Sequence, residues 1–370
     1  MSRNIIIVTG VYPSWKDPGS GAFVRNVRDD FITKGYGVKV LHIVPLHVLF
    51  LKRKIFVEFL SELFQVQKDR IYVPYLSLSH RTFCGIDLMR YTHAMLKLSL
   101  YISSRLFKLH SFCDVAYGKF LNEGGIGASY LARFLSVPYC LDLGESYSLL
   151  RFENSTELKL VIVQASVIYC VSERLCTEVV KLGGIQKRIV LAPNNADDMK
   201  FFPRNRDDCR KILEINVPED KQVVCFVGHF IERKGPNRVL AALEFGDEFV
   251  GVFLGKGPIE IDGEKVLFVG QVNHELLPLW LNAADIFVLP TLGEGWCNAI
   301  EEAYSCGLPL VVSDIEDVKK QLGTRQASFC NPNDEYSIYN SLLEAKNFKS
   351  VVDLKYSKNR GDIIASKIPK

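Results

Sequence analysis

The sequence from Ala284 to Ser313 reads A-D-I-F-V-L-P-T-L-G-E-G-W-C-N-A-I-E-E-A-Y-S-C-G-L-P-L-V-V-S. The apolar run Ile286 to Leu289 has the length of a buried strand. A helix is expected to begin near Trp296 to Asn298 and to end at Gly307, after which Leu310 to Val312 resumes a strand. The stretch therefore predicts a strand, a turn, a helix and a second strand of an α/β domain.

The turn of this unit combines bare backbone with nearby carboxylates. Gly293 and Gly295 flank Glu294, so a ligand can approach the main chain closely. The free N–H groups and the dipole of the helix start attract phosphate or sugar oxygens. Glu294 and Glu302 accept hydrogen bonds, which suits a ribose or a hexose. The alternative is that Glu301 and Glu302 form a solvated helix face and Glu294 is an ordinary turn residue.

The same stretch resembles the donor-site signature of family-four retaining glycosyltransferases. The shared features are two glutamates eight residues apart, then Ala303, Cys306-Gly307, Pro309 and Val311-Val312. The resemblance implies that Glu302 binds the nucleotide ribose and that Glu294 holds the donor sugar. The turn backbone implied to help in holding that sugar is Gly295, Trp296, Cys297 and Asn298.

A second matching segment runs from Gly228 to Gly235, after a predicted strand. A lysine beside a glycine at a helix start places a point charge for phosphate. In the family an arginine and a lysine here hold the diphosphate. Lys234 matches the lysine and His229 stands in place of the arginine. Arg233 is either a substitute for that arginine or a solvated loop charge, and the base is implied to lie against the backbone near Val272.

The first half of the chain opens with the strand Ile5 to Val8, a glycine-bearing loop, a helix and the strand Val38 to Val44. This order predicts a right-handed βαβ unit. There is no G-x-G-x-x-G motif, so no dinucleotide cofactor is expected. The loop resembles the one with which these transferases close their cleft, and Gly21 is its best match. Ordinary turn geometry is the alternative.

The segment after the strand at Tyr139 carries a histidine in the family, near the reaction centre. This chain has no histidine between His110 and His229. Asp142 and Glu145 are the polar groups available there, so the role that the family gives to this segment is open. Glu145 is our candidate for contact with donor or acceptor hydroxyls. It joins Lys234 and Glu294 as a candidate catalytic residue.

The length of 370 residues suits two domains, predicted at residues 1–202 and 203–370 with a polar linker from about 197 to 220. Residues 1–202 carry 25 Lys and Arg against 17 Asp and Glu, or +8, and residues 203–370 carry 20 against 25, or −5. No basic run has the aromatic interleaving that nucleic acid needs. Ten scattered cysteines indicate core thiols in a reducing compartment, so we expect the protein in the cytoplasm.

These observations predict an α/β protein with two Rossmann-like domains facing each other across a cleft, the GT-B fold. The resemblance implies a retaining glycosyltransferase that moves a sugar from a nucleoside diphosphate to a hydroxyl acceptor. UDP is favoured as the nucleotide because it is the most frequent in the family. We expect no cofactor and no metal: there is no D-x-D triplet, and Asp314 and Glu316 come closest. A same-fold nucleotide-sugar epimerase and a non-catalytic glycan-binding subunit are the alternatives.

Residues 46–64 are apolar around Lys52-Arg53-Lys54, which is typical of a segment on an anionic membrane surface. Packing into the core of the first domain is the alternative. Residues 96–109 form a second apolar helix candidate with Lys97, Arg105 and Lys108. The resemblance implies a glycan or lipid-linked glycan as acceptor, so we expect a peripheral location at the inner face of the cell membrane.

Overall fold

The structure is a computed structural model that describes residues 3–12, 21–46, 70–77, 82–83, 86–348 and 360–369. The chain forms two compact units. The first is Met1–Ala192 with Asn359–Lys370, and the second is Pro193–Lys358.

The described residues of the first unit form nine strands and a set of helices. The strands are β1 (Asn4–Thr9), β2 (Gly37–Pro45), β3 (Arg70–Tyr75), β4 (Thr82–Phe83), β5 (Ile86–Asp87), β6 (Val115–Lys119), β7 (Tyr139–Leu143), β8 (Val167–Cys170) and β9 (Ile189–Leu191). The helices are α1 (Ala22–Thr33), α2 (Leu88–Leu106), α3 (Gly127–Leu135), α4 (Thr156–Gln164), α5 (Glu173–Lys181) and the C-terminal helix Arg360–Lys367. The shorter helical segments are a π-helix at Phe120–Ile126 and 3-10 helices at Leu109–Ser111, Leu149–Phe152 and Gln186–Arg188.

Seven of these strands form one parallel sheet in the order β3-β2-β1-β6-β7-β8-β9, and β4 pairs with β5 in a separate antiparallel ribbon. The predicted βαβ unit is present, and Ile5 to Val8 are fully buried because both faces of a parallel sheet are covered. The order is that of a Rossmann sheet. Its switch point lies between β1 and β6, where the loops after the two strands diverge and leave a crevice.

The C-terminal helix belongs to the first unit, not to the second as the sequence-based boundary had it. Arg360 donates from Nε to the carbonyl oxygen of Ala192 at 2.8 Å and from Nη2 to the carboxylate of Asp142. Ile364 is buried, and its carbonyl oxygen accepts from the hydroxyl of Tyr169 at 3.0 Å. The buried ion pair is formed between residues 218 positions apart, so no local pattern announces it.

The second unit repeats the same architecture, with six strands in the part of it that the structure describes. They are β10 (Gln222–Val227), β11 (Phe249–Leu254), β12 (Val266–Gly270), β13 (Ile286–Leu289), β14 (Leu310–Ser313) and β15 (Ser328–Cys330). The helices are α6 (Arg206–Ile212), α7 (Pro236–Leu243), α8 (Leu277–Ala283), α9 (Asn298–Ser305), α10 (Glu316–Leu322) and α11 (Glu335–Ala345). The parallel sheet has the order β12-β11-β10-β13-β14-β15, so its switch point lies between β10 and β13.

The stretch that predicted an α/β domain folds as expected. Strand β13 covers the predicted residues, α9 begins at Asn298, and β14 pairs with β13 in parallel from Phe287 to Leu310 onwards. Gly307 ends the helix with a φ of +82°, a left-handed conformation that glycine adopts without strain. Side chains of β13 and β14 are buried throughout.

The predicted linker from 197 to 220 is wrong. It contains α6, which begins at the N-cap Asn205 and packs on α8. Arg210 fixes this contact, because its Nη2 meets Asp285 Oδ2 at 2.7 Å and its Nε donates to the Ala283 carbonyl at 2.9 Å. The unit boundary consequently falls at Pro193, ten residues before the predicted boundary at 203.

The described cysteines are all free, and all but Cys176 are buried, as expected of core thiols. Among the described helices none is long and apolar enough to span a bilayer. Apart from Leu46, the segment 46–64 lies outside the described residues.

The Arg360–Asp142 pair generates a stability prediction. Arg360→Met leaves a fully buried carboxylate without one of its cations, so the free energy of unfolding should fall by about 3–5 kcal/mol. Urea denaturation followed by circular dichroism measures it. Asp362→Asn on the same helix is the matched control, since its pair with Lys34 is exposed and contributes under about 1 kcal/mol. Equal small losses in both variants would contradict docking of the helix.

Candidate functional site

At the switch point of the second unit, the loop after β10 and the loop after β13 are tied together through their main chains. The amide of Leu292 donates to the carbonyl of Arg233 at 2.8 Å, and Thr291 Oγ1 lies 3.2 Å from the same carbonyl oxygen. Gly235 caps the start of α7 with a φ of +72°. The carboxyl ends of the two central strands thereby bring together residues from both predicted donor segments.

Glu294 is the centre of this arrangement. Its Oε1 accepts from Lys234 Nζ at 2.6 Å, from Thr291 Oγ1 at 2.8 Å and from Arg233 Nη1 at 3.2 Å. Arg233 also donates to the carbonyl of Gly293. The side chain of Glu294 is only 7% exposed, so it is a buried anion in direct contact with two cations and not an ordinary turn residue. Arg233 is likewise paired, which excludes a merely solvated loop charge.

Lys234 is a protonated, mostly buried ammonium. Burial acts to lower its pKa, but the neighbouring Cys297 and the Glu294 carboxylate outweigh burial and raise it. Burial raises the pKa of the Cys297 thiol to about 11 despite the nearby lysine. We therefore assign the attraction to Glu294, because a neutral thiol carries no charge for Lys234 to meet.

The turn that leads into α9 is hydrogen-bonded to residues from two other segments of the second unit. Gln321 of α10 accepts from the Cys297 amide at 2.9 Å and donates to the Cys297 carbonyl at 2.8 Å. Asn194 donates to Asn298 Oδ1 at 2.9 Å, and its carbonyl accepts from the Trp296 indole at 2.8 Å. Cys297 at the N-cap makes no side-chain cap hydrogen bond, and Gly295 is buried beside it. The helix start is rigid, and its amide groups suit an anion.

The two neighbouring glutamates of α9 have different roles, and the solvated-face alternative is wrong for both. Glu301 is buried and accepts from Arg325 at 2.9 Å and from Gln321 at 3.0 Å, so it is structural. Glu302 lies on another side of the helix, where its Oε1 meets His274 Nε2 at 3.0 Å. A carboxylate whose orientation a histidine fixes is well suited to accept from a diol.

The remaining predicted donor residues lie nearby in the fold. His229 is exposed directly after β10, where Gly228 approaches the stem of Lys234. Val272 is half-buried against the core just before His274. His274 was not among the predicted residues, because it lies 28 positions from Glu302 and belongs to no recognisable motif. Asp314 and Glu316 pair with lysines of α10.

The switch point of the first unit contains a cavity of about 360 Å³. It lies among the loops that follow β1, β6 and β7 and beside α2. Its polar lining consists of Tyr75, Thr92, His93, Lys119, Asn122, Glu123, Glu145, Ser146 and Tyr147. The Glu123 carboxylate lies against the main chain of Gly10, where a Cβ would be 2.1 Å from Glu123 Oε2. Glu123 Oε1 accepts from the Tyr75 hydroxyl at 3.2 Å.

Asp142 and Glu145, three residues apart, carry opposite pKa shifts. Burial would raise the pKa of Asp142, but Arg360 and Lys119 hold it well below its usual range. Burial raises the pKa of Glu145 to about 7, and the Leu121 amide that donates to its Oε1 only partly offsets this. Among the residues that the structure describes, no group meets Glu145 Oε2 or the side-chain oxygen of Asn122. Two residues that line the cavity thus each have a buried oxygen without a protein hydrogen bond.

Gly21 has a structural role. It begins α1 in the left-handed conformation with a φ of +70°, and a Cβ there would lie 3.0 Å from the backbone of Tyr12. Residues 13–20 of its loop are outside the described part of the chain, so its predicted donor contact stays a prediction.

Comparison with known proteins finds similar sequences among glycosyltransferases. Residues 221–345 match the family model described as glycosyl transferases group 1. A Bacillus subtilis (strain 168) protein named as a teichuronic acid biosynthesis glycosyltransferase is 24% identical over 342 residues, covering 89% of this chain and 85% of that protein. The Escherichia coli UDP-Gal:alpha-D-GlcNAc-diphosphoundecaprenol alpha-1,3-galactosyltransferase is 32% identical over 146 residues, covering 35% of this chain and 37% of that enzyme.

A solved structure shares the architecture of the whole chain. Anabaena Alr3699/HepE in complex with UDP-glucose superimposes with a TM-score of 0.65 at 14% identity, covering 98% of this chain and 94% of that one. This likeness concerns the fold alone. The predicted α/β class with two Rossmann-like domains of GT-B type is confirmed.

The two carboxylates of the first unit generate a pH prediction. Because the folded-state pKa of Glu145 lies above its unfolded value, its charge opposes folding, and stability is lost as pH rises from about 4.5 to about 7. The stability of Glu145→Gln minus that of wild type should therefore increase by about 3 kcal/mol as pH is raised from about 5 to about 8.

Asp142→Asn is the matched control for this prediction. The lowered pKa of Asp142 keeps it ionised across that range, so its variant should be destabilised by a similar amount at both pH values. Denaturant unfolding of wild type and both variants at the two pH values gives the four stability differences. A stability difference between Glu145→Gln and wild type that does not change with pH would show that folding does not raise the pKa of Glu145.

Proposed function

The second unit of this chain is a glycosyl transferases group 1 domain, and from that premise we propose that the protein is a retaining glycosyltransferase. It moves a sugar from a nucleoside-diphosphate sugar, with UDP favoured, to a hydroxyl of a glycan or lipid-linked glycan in cell-surface polysaccharide synthesis. The observation that carries the proposal is the buried Lys234–Glu294 pair beside the start of α9, at a topological switch point.

The charges suit the departure of a diphosphate. As the bond from the anomeric carbon to the phosphate oxygen breaks, negative charge grows on the diphosphate. Lys234, which Glu294 already holds in place, and the amide groups at the start of α9 stabilise that charge with little reorganisation. The acceptor oxygen forms the new bond on the same face of the sugar, and its proton passes to the leaving phosphate. We propose that no metal and no cofactor takes part.

The nucleotide is held by the second glutamate. Glu302 accepts from the ribose hydroxyls, and His274 keeps its carboxylate in position. The backbone near Val272 contacts the base, and His229 with Arg233 extends the positive side of the phosphate site. Because main-chain atoms contact the base, side chains do not identify it. The proposal of UDP is therefore supported by the E. coli relative, whose name states UDP-Gal as donor.

The cavity of the first unit is proposed to take the acceptor. Its unpaired Glu145 oxygen and the Asn122 oxygen accept from neutral sugar hydroxyls, and Glu145 positions the reacting one. The E. coli relative carries a diphosphoundecaprenol-linked acceptor in its name, which favours a lipid-linked glycan. We accordingly propose a cytoplasmic protein, peripheral at the membrane, with residues 46–64 as one contact.

The ribose carboxylate gives the first functional prediction. Glu302→Ala should weaken UDP binding by about 1.5–3 kcal/mol, or roughly 10- to 150-fold, because the diol loses a charged acceptor. Calorimetric titration with UDP, GDP and ADP measures this loss and identifies the base. Glu275→Ala, an exposed glutamate of the preceding loop that pairs with Lys200, is the control and should bind as wild type does.

Glu301→Ala should instead lower the free energy of unfolding, since Arg325 loses its carboxylate partner. If Glu301→Ala loses nucleotide binding and Glu302→Ala keeps it, the assignment on α9 is wrong by one residue. Nucleotide binding without any transfer by the wild type would favour a non-catalytic subunit, and interconversion of the donor sugar would favour an epimerase.

Lys234 gives the second prediction. Lys234→Ala should lower turnover by about 10²–10³, the usual effect of removing one preorganised charge from a developing anion. Arg233→Ala should cost less, because its guanidinium lies farther from Glu294 and is more exposed. Transfer of labelled sugar from UDP-sugar donors to polyprenol-linked acceptors is the assay, and the anomeric configuration of the product tests retention. Unchanged turnover in the lysine variant would remove its role at the diphosphate.

A further inference from the structure

Within the described part of the chain, helix α2 buries one face and exposes a second face that is rich in apolar side chains. Leu96 and Leu100 are buried within the first unit, and Thr92 and Ser103 lie on the same inward side. The outward face carries large apolar side chains that are 45% to 71% exposed: Tyr91, Leu98, Tyr101, Ile102 and Leu106. An amphipathic surface helix normally presents polar residues there, so this helix departs from the expected pattern.

These side chains form one stripe. Leu98, Ile102 and Leu106 follow one another at four-residue intervals, and Tyr91 lies two turns before Leu98. Tyr101 extends the stripe sideways onto Phe134 of α3, with ring centroids 5.4 Å apart. Single exposed apolar residues are common on any protein, but a contiguous apolar face marks a site of interaction.

The charges that α2 and the turn after it carry are all of one sign, and Glu157 of α4, which pairs with His93, is the acidic residue beside them. From residue 88 to residue 113 the sequence contains four Lys and Arg residues and no Asp or Glu. Lys97, Arg105 and Lys108 are exposed beside the apolar side chains. The Nζ atom of Lys97 lies 5.7 Å from the ring centroid of Tyr130, so the aliphatic part of this lysine lies along the protein surface. Long basic side chains of this kind reach out of an apolar surface towards anionic groups.

We propose that the outward face of α2 binds an anionic lipid surface. The apolar stripe enters the boundary between headgroups and acyl chains, and Lys97, Arg105 and Lys108 meet lipid phosphates. A second copy of the chain is a poorer occupant, because two such faces would bring their basic residues together. The inference deepens the peripheral location within the proposed function, and it names a surface distinct from residues 46–64.

Co-sedimentation with vesicles tests the apolar stripe. Wild type should pellet with vesicles of equal parts phosphatidylcholine and phosphatidylglycerol and should stay in solution with phosphatidylcholine alone. Leu98→Glu with Ile102→Glu should abolish pelleting. Ile32→Glu with Val180→Glu is the matched control, because these residues of the same unit are similarly exposed at 48% and 40%. Pelleting of the stripe variant at the wild-type level overturns the proposal.

A second pair of variants tests the charges. Replacing Lys97, Arg105 and Lys108 with Gln should lower the partition about fivefold for each residue, and added salt should have the same effect on wild type. The same replacement at the exposed Lys159, Lys181 and Lys187 should change little. Equal losses in both sets would show a diffuse effect of net charge and contradict a specific face.

Two further measurements separate the possible failures. UDP titration of each variant should match wild type, so a loss of vesicle binding with intact nucleotide binding reports on the surface alone. If only Lys52→Glu with Arg53→Glu and Lys54→Glu abolishes pelleting, the peripheral location stands and the assignment to α2 fails. If light scattering shows a dimer that Leu98→Glu with Ile102→Glu dissociates, the face is a self-interface and the lipid proposal fails.

Discussion

The contact between Lys234 and Glu294 is the interaction on which the candidate site of the second unit depends. A buried carboxylate is costly unless cations and hydrogen bonds compensate it. Here a lysine, an arginine and a threonine all donate to one oxygen, and the lysine and arginine come from the loop after β10. Because Glu294 lies in the loop after β13, the ion pairs fix two loops whose strands are neighbours in the sheet. The same contact that stabilises the fold therefore holds a cation ready for a phosphate.

Rossmann topology explains why both units present polar residues at the same place. In each sheet the strand order reverses beside the first strand of the unit, and the loops there leave room for a ligand. The first unit places Glu123, Lys119 and Glu145 around that crevice, and the second unit places Lys234 and Glu294. The two units share the strand order and the position of these loops, but the side chains at the two crevices differ. For this reason the topology locates the sites but does not decide their chemistry.

The sequence was sufficient where the cause is local. Strand β13, helix α9 and the left-handed Gly307 follow from apolar runs and from the conformational freedom of glycine, and all were predicted. The errors concern distant contacts. The C-terminal helix joins the first unit through Arg360, and α6 packs where a linker was expected. The structural role of Glu301 likewise depends on Arg325 and Gln321, and His274 acquires its role only when folding brings it to Glu302.

The two crevices differ in how their carboxylates are compensated, and this difference bears on what each can bind. Glu294 has cations beside it and lies with Lys234 in a site of net positive character, which suits a diphosphate. In the first unit Asp142 takes both Lys119 and Arg360, so Glu145 is left with a backbone amide and a pKa of about 7. A carboxyl group in that environment exchanges hydrogen bonds with neutral hydroxyls and gains little from an anion. The division of charge between Asp142 and Glu145 is thus the physical reason to place phosphate in one unit and an uncharged sugar hydroxyl in the other.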